Sequence, residues 1–386
     1  MAKIRELVKK FMDYGRAYNA PNGFLNFIEY AFLTWKYAIG MPEYFEQELW
    51  NKKVDHSGYI STLSKEKYRW KNVRKKFTPN ASLAWLICHR VDYLISRLIL
   101  PGLNAMDYFR YEMYTLRFCK RKTFITEGEL AKMDRYFNGG TSRAISRMTL
   151  LDKAQFNKKF GKFIARLWVD AKTATYEDFL KLCQKKQKVI VKPSEGTQGS
   201  SIFIADVSTE VAILELWSSI HGRPFVVEEI VVQHASLSAL NSSSVNTIRV
   251  YTVKKGDQVF ITGATLRMGC GSGPTDNYSA GGLAAEVDTD TGIVITRAVT
   301  QNAGCFYVHP YSHKVIIGFQ IPEWNKIKEV VKEAHLLVPD LGYIGWDVAV
   351  CADNQITLIE ANTFAGVALQ QHPGLSGKKE LYRKFY

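Results

Sequence analysis

Ile344-Gly-Trp-Asp-Val-Ala-Val-Cys-Ala-Asp-Asn-Gln-Ile-Thr-Leu-Ile-Glu-Ala-Asn-Thr-Phe-Ala-Gly366 consists of two apolar runs around a turn. The runs at 344–350 and 356–359 flank Ala-Asp-Asn-Gln, whose composition predicts a β-hairpin. Asp347 interrupts the first run, and Glu360 and Asn362 close the second. A carboxylate within an apolar strand is costly to bury unless it is paired or holds a metal. Three oxygen-bearing side chains on adjacent strands suit a hard divalent ion such as Mg²⁺. Taken alone, the stretch also reads as a surface hairpin with incidental acids.

Working outward, Lys188-Val-Ile-Val-Lys-Pro-Ser-Glu-Gly-Thr-Gln-Gly-Ser-Ser-Ile-Phe-Ile204 has a strand, a glycine- and serine-containing loop and a second strand. Gly196 and Gly199 let backbone N–H groups approach an anion closely, and Lys192 brings a positive charge. The spacing is not that of a P-loop and no helix follows directly, so a P-loop nucleoside triphosphatase is disfavoured. A plain hairpin turn is the simpler reading of this loop alone. Phe225-Val-Val-Glu-Glu-Ile-Val-Val232 is an apolar strand with two acids. Its end could read an adenine edge, or the acids could face water. Arg249 and Arg267 sit on later strands, followed by Thr275-Asp-Asn-Tyr-Ser-Ala-Gly-Gly282. Arginine suits bidentate contact with phosphate or a developing oxyanion, although a lone one is more often a surface ion-pair partner.

As an ordered set, these motifs resemble the ATP-grasp superfamily over about residues 150–375. Asp152-Lys153, Lys-x-x-Glu-Gly-Thr-Gln-Gly at 192–199, Ile248-Arg249, Asn277-x-x-x-Gly-Gly and Leu358-Ile-Glu-Ala-Asn362 are similar to the ribosomal-protein glutamate ligase group. Ser244-Val-Asn-Thr-Ile-Arg249 and the long basic front end look more like the sugar-transfer-associated branch. The resemblance implies that Lys153 and Lys192 hold the ATP phosphates and that Glu195, Gly196, Thr197, Gln198, Gly199 and Ser200 close over them. It further implies that Glu228, Glu229, Ile230 and Val231 read adenine, and that Asp347, Glu360 and Asn362 bind Mg²⁺. Arg267 and Asn277 would lie near the γ-phosphate and the reacting carboxylate, with Arg249 the third catalytic candidate. Two departures stand out. Thr247 occupies the place of an acid two residues before the strand arginine, which shifts ribose binding to Gln233 or His234. Thr275-Asp-Asn277 replaces Arg-x-Asn.

The chain has 386 residues, 46% hydrophobic and 23% charged, which is enough for two or three globular domains. Its net charge of +14 is uneven: residues 1–150 carry 26 Lys and Arg against 14 Asp and Glu. Such a segment favours an acidic partner, such as an anionic membrane surface or a polyanionic substrate. The basic and aromatic run at 65–77 lacks any nucleic-acid fold signature, so no nucleic acid is expected. Helical spacing dominates residues 1–150, including 83–100, where His89, Arg90, Asp92 and Arg97 argue against a membrane span. Strand patterns at 189–191, 202–205, 225–232, 248–253, 259–266 and 293–298 follow, then a helix at 325–337. Six scattered cysteines without CxxC spacing point to neither a disulfide framework nor a zinc site, which fits a reducing cytoplasm. Residues 1–18 lack the pattern of a secretory signal.

The expected fold class is α+β: an ATP-grasp fold at 146–386, two α+β subdomains clamping ATP, preceded by a basic, mainly helical domain at 1–145. The resemblance implies a cytoplasmic, ADP-forming carboxylate–amine ligase with ATP and Mg²⁺. Its substrates would be a uronic-acid sugar or another glycan-linked carboxylate, and an amino acid or small amine. The rival readings are an ATP-grasp kinase acting on a hydroxyl and a non-catalytic nucleotide-binding scaffold.

Overall fold

The computed structural model describes residues 70, 77, 80–100, 102–184, 186–196, 202–271, 278, 281–301, 304–366, 369–371 and 377–386. The helices expected before residue 70, and most of the basic run at 65–77, lie outside the described residues. The chain divides into two compact units, Met1–Glu129 and Leu130–Tyr386.

In the first unit, α1 (Leu83–Ile99) begins at Ser82, whose hydroxyl accepts from Trp85 N at 3.2 Å. A side-chain oxygen at this position satisfies one of the amides left unbonded at a helix start. Helices α2 (Ala105–Arg110) and α3 (Phe118–Arg121) follow. The core is unusually aromatic, with Tyr93, Tyr108, Phe109, Tyr111 and Phe124 all buried. Arg121 enters it by pairing with Asp92 at 2.9 Å, so the buried guanidinium has its counter-charge.

The second unit takes up α4 (Glu127–Asn138) from Leu130 onward, then α5 (Ala144–Leu151) and α6 (Lys153–Lys159). A small antiparallel sheet contains β1 (Trp168–Asp170), β2 (Lys188–Pro193), β3 (Phe203–Asp206) and β4 (Phe225–Glu229), in the order β1-β4-β2-β3. Helices α7 (Tyr176–Cys183) and α8 (Glu210–Ile220) pack Phe179, Leu182, Ile213 and Leu216 against Val189, Val191 and Val227. Because strand side chains alternate, burying Val189 and Val191 turns Ile190 and Lys192 to the opposite face.

After α9 (Ala235–Leu240) comes the larger sheet. Its strands are β5 (Thr247–Lys255), β6 (Gln258–Met268), β7 (Leu283–Val287), β8 (Ala298–Val299), β9 (Cys305–Phe306), β10 (Tyr343–Val350) and β11 (Ile356–Asn362). Their order is β11-β10-β5-β6-β7-β8-β9. Helix α10 (Trp324–Leu336) covers one face, packing Ile327, Val331 and Ala334 over Ile248, Val250, Leu266, Trp346 and Val348. A short helix, α11 (Lys379–Arg383), ends the chain, with Tyr382 buried.

The fold is therefore α+β, with the hairpin at 344–362 at one edge of the large sheet. One expected strand is only partly formed: residues 293–297 make single bridges, Val287 to Val294 and Ile293 to Gln320, and sheet pairing begins only at Ala298. Short β7 and β8 hold the sheet positions here, β8 taking up only the end of the expected strand. Their alanines and brief length give no strong alternation to read. Among the described residues, no helix is long and apolar enough to cross a membrane.

Candidate active site

On the larger sheet, β10 alternates Ile344, Trp346, Val348 and Val350 into the core, which leaves Asp347 on the other face. Asp347 pairs with Glu360 on β11 and with Arg249 on β5, and Arg249 in turn pairs with Thr265 on β6. One row across four strands thus places two acids and an arginine side by side. Arg249 donates from Nε and Nη2 to the two Asp347 oxygens, and Arg267 Nη1 donates to Oδ2 at 2.7 Å. Burial pushes the Asp347 pKa up, but Arg249 and Arg267 outweigh it and hold the carboxyl well below the usual range.

Register explains why Glu360 joins this group. Val348 pairs with Leu358 while Asp347 pairs with Glu360, so Ile359 is an extra residue in β11. This bulge lets the consecutive residues Ile359 and Glu360 both line the same cavity. Asn362 Nδ2 lies 3.4 Å from Glu360 Oε1. Glu360 keeps 43% of its side-chain surface open to the cavity mouth, yet protein surrounds it. That burial, with Asp347 adding like charge, raises its pKa.

The small sheet supplies the opposite wall. Glu228 on β4 is buried and accepts from Lys192 Nζ at 2.6 Å, Arg166 Nε at 2.9 Å and Nη2 at 3.0 Å, and Asn157 Nδ2 at 2.9 Å. Burial raises its pKa, but Arg166 and Lys192 more than reverse that and keep it ionised. Lys153 opens α6, where Asp152 caps the helix by accepting from Ala154 N and Gln155 N. Its Nζ donates to Gly196 O at 3.1 Å, and Gly196 adopts φ +115°, which a side chain would oppose. Burial lowers the Lys153 pKa; Glu360 opposes this and Lys192 adds to it.

Together the walls enclose a cavity of about 800 Å³. Lys153, Lys192, Glu228, Glu229, Ile230, Val231, Arg249, Arg267, Asp347, Glu360 and Asn362 all line it. Ile230 and Val231 lie just past the end of β4, and Ile190, Ile204 and Ile359 add apolar surface. The cavity therefore combines an apolar slot, a cluster of cations and a pair of facing acids. A purine with a phosphate chain has that same division of chemistry.

Some expected residues stand elsewhere. Glu195 is exposed and does not line the cavity, while Thr197, Gln198, Gly199, Ser200 and Asn277 lie outside the described residues. His234 is not a cavity residue either: its ring accepts from Ser236 N at 3.2 Å and caps α9. Gln233 lines the cavity, but its side-chain amide is bonded to Asn241 O, Ser244 O and Asn246. Glu228 and Glu229 were expected to read adenine. Both line the cavity, with the Glu228 carboxylate committed to the bonds above and Glu229 paired with Lys186 and accepting from Leu167 N. Asp347, expected to bind Mg²⁺, accepts from Arg249 and Arg267 at its two oxygens.

The sequence profile of the sugar-transfer associated ATP-grasp family matches residues 152–384. The chain belongs to this family. No curated protein matches it. Similar solved structures include N5-carboxyaminoimidazole synthase from Aspergillus clavatus, at 13% identity over 57% of this chain and 46% of that one, TM-score 0.35. The ATP-grasp ligase PsnB with its minimal precursor is 15% identical over 71% and 72%, TM-score 0.38. L-amino acid ligase from Bacillus licheniformis is 12% identical over 62% and 48%, TM-score 0.37. The chain thus spans about half the length of the first and third of these proteins.

Within this ATP-grasp fold, three contributors went unread in the sequence. Arg166 is a single base in Phe163-Ile-Ala-Arg-Leu-Trp-Val, two residues before the short β1 begins at Trp168. Asn157 lies in a polar helix, and Ile359 reaches the cavity only through the bulge. The lone base within an apolar run at 163–169 was the one available signal.

Proposed function

We propose that this ATP-grasp protein is an ADP-forming carboxylate–amine ligase acting in the cytoplasm. The observation that carries the reading is a matched pair of charge groups facing one cavity. The small sheet offers Arg166–Glu228–Lys192 and the large sheet offers Arg249–Asp347–Arg267, each with two cations around one carboxylate. Each group keeps one net positive charge for a polyanion, beside the open acid Glu360.

ATP would lie with its base in the slot of Ile190, Ile204 and Ile359 against the backbone at 230–231. Lys153 and Lys192 would bind its phosphates. The donor chemistry also fits Mg²⁺: Glu360 and Asn362 are oxygen donors open to the cavity, and Glu360 is an acid crowded by another acid. These two would hold the ion, with Asp347 adjoining; when bound it supplies neutralisation of phosphate charge. The carboxylate substrate attacks the γ-phosphorus, the bond to the β-bridging oxygen breaks, and ADP leaves. Arg249 and Arg267, already fixed by Asp347, stabilise the transferring group without reorganising. An amine then adds to the acyl carbon, phosphate departs and the nitrogen loses a proton, leaving an amide.

The family's association with sugar transfer supports a uronic-acid or other glycan-linked carboxylate, joined to an amino acid or amine during polysaccharide assembly. The basic front end, residues 1–145 as a separate helical domain, would dock that acidic substrate or an anionic membrane face. The test is a screen of sugar acids crossed with amines, followed by ¹⁸O in the acid's carboxylate. ADP and labelled phosphate are expected, with a hydroxamate trapped by hydroxylamine when the amine is omitted. AMP and pyrophosphate would overturn the ligase. ADP without label in phosphate would replace it with a kinase.

A further inference from the structure

We propose that Arg166 is the positioning residue that makes Lys192 available to phosphate, by supplying the counter-charge that Glu228 would otherwise take from the lysine. The inference rests on the ATP reading above and goes beyond it, because Arg166 itself need not touch the nucleotide.

Glu228 cannot ignore a neighbouring cation. Its side chain is 2% exposed, and a buried carboxylate without a partner is strongly unfavourable. Lys192 Nζ stands 2.6 Å from its Oε2. With these two alone, the lysine would be one half of a neutral pair facing the cavity. Arg166 changes that count. Its Nε and Nη2 take both Glu228 oxygens in the fork geometry that carboxylates prefer. The carboxylate is thereby neutralised, and the lysine's charge is the surplus.

Arg166 also borders the cavity, but its guanidinium is committed elsewhere. Its Nη1 donates to Leu358 O at 2.7 Å and Thr357 Oγ1 at 3.1 Å, both on β11. With a side chain only 2% exposed, it is tied at both ends. Lys192, at 11%, is the more open cation, on a flexible stem directed to the cavity. The guanidinium is the fixed counter-ion and the ammonium the mobile ligand.

A merely structural clasp between β4 and β11 would make a different prediction. The experiment measures Mg-ADP affinity by calorimetry and thermal stability for the full-length chain and five variants. Lys192→Ala sets the loss expected when the ligand cation is gone. Arg166→Met should weaken Mg-ADP by about tenfold, approaching that loss. Adding Glu228→Gln to Arg166→Met restores the surplus charge and should return affinity to within about threefold of wild type. Arg166→Lys should keep affinity within about threefold even where the melting temperature falls. Glu228→Gln alone, which adds net charge, should bind at least as tightly as wild type.

Unchanged affinity in a folded Arg166→Met chain would overturn the proposal. So would a double variant as weak as Arg166→Met, which would make Arg166 a clasp only. If Arg166→Met does not fold, weaker binding by Glu228→Gln or loss of binding by Arg166→Lys overturns it instead. A wild-type chain that binds no Mg-ADP would overturn the ATP reading itself, and the proposal with it.

Discussion

At the scale of residues, Glu360 shows function and stability opposed. It stands opposite Asp347, and its pKa is raised by burial and by that neighbour. An acid with a raised folded pKa opposes folding above its unfolded pKa, and the penalty lifts as pH falls. Glu360→Gln should therefore raise the melting temperature of the nucleotide-free protein near pH 7.5 while removing most turnover. Scanning fluorimetry beside an ADP-release assay checks both. A variant that is less stable, or that keeps near-full turnover across Mg²⁺ concentrations, would remove Glu360 from the site. The acid itself was legible in the sequence, since a carboxylate closing an apolar run is conspicuous. Arg166 was not, because a lone base in an apolar run does not name its partner, here a buried carboxylate 62 residues away.

At the scale of elements, two apolar runs around a turn made the hairpin readable, and side-chain alternation in β10 sets Asp347 on the cavity face. What alternation cannot show is a bulge, so Ile359 gave no hint of its place in the cavity. Nor does it show how closely segments pass. Gly345, two residues before Asp347 on β10, lies against Ala365, where Tyr343 and Tyr251 hydroxyls donate to Ala365 O and Gly366 O. A Cβ at Gly345 would sit 2.5 Å from Ala365 Cβ and 3.2 Å from Arg249 Cδ. Gly345→Ala must therefore displace the crossing segment or the arginine. A loss of roughly 1–3 kcal/mol is expected from overpacking, with reduced turnover as Arg249 shifts. Denaturant titration and steady-state assays measure these; a variant with wild-type values in both would show that the segment yields freely.

At the scale of the whole molecule, the core carries a pH dependence remote from the cavity. His335 is fully buried beneath the large sheet, where Thr252 Oγ1 donates to Nδ1 and Nε2 donates to Leu341 O, at 2.7 and 2.9 Å. Trp346 Nε1 donates to the same Thr252 oxygen at 2.9 Å, so the ring is neutral within a satisfied chain. Burial lowers its pKa to about 4. Its contribution is complete above the unfolded value near 6.5 and is lost as pH falls towards 4, about 3 kcal/mol in all. Asp107, which burial raises to about 6, acts in the opposite direction over part of that window. Denaturation at pH 7.5, 6 and 5 should therefore show a fall that His335→Gln flattens; an equal fall in the variant would assign it to other groups. Over the length of the chain, the bulge in β11 has another consequence. A one-letter deletion inside a strand normally turns every following side chain to the wrong face. At Ile359 the chain carries a spare letter. Losing it would leave Leu358 opposite Val348 and Glu360 opposite Asp347, now in unbroken step. The lineage could reshape this apolar wall of the cavity by trimming or exchanging that single position, while the acids next to it keep their frame.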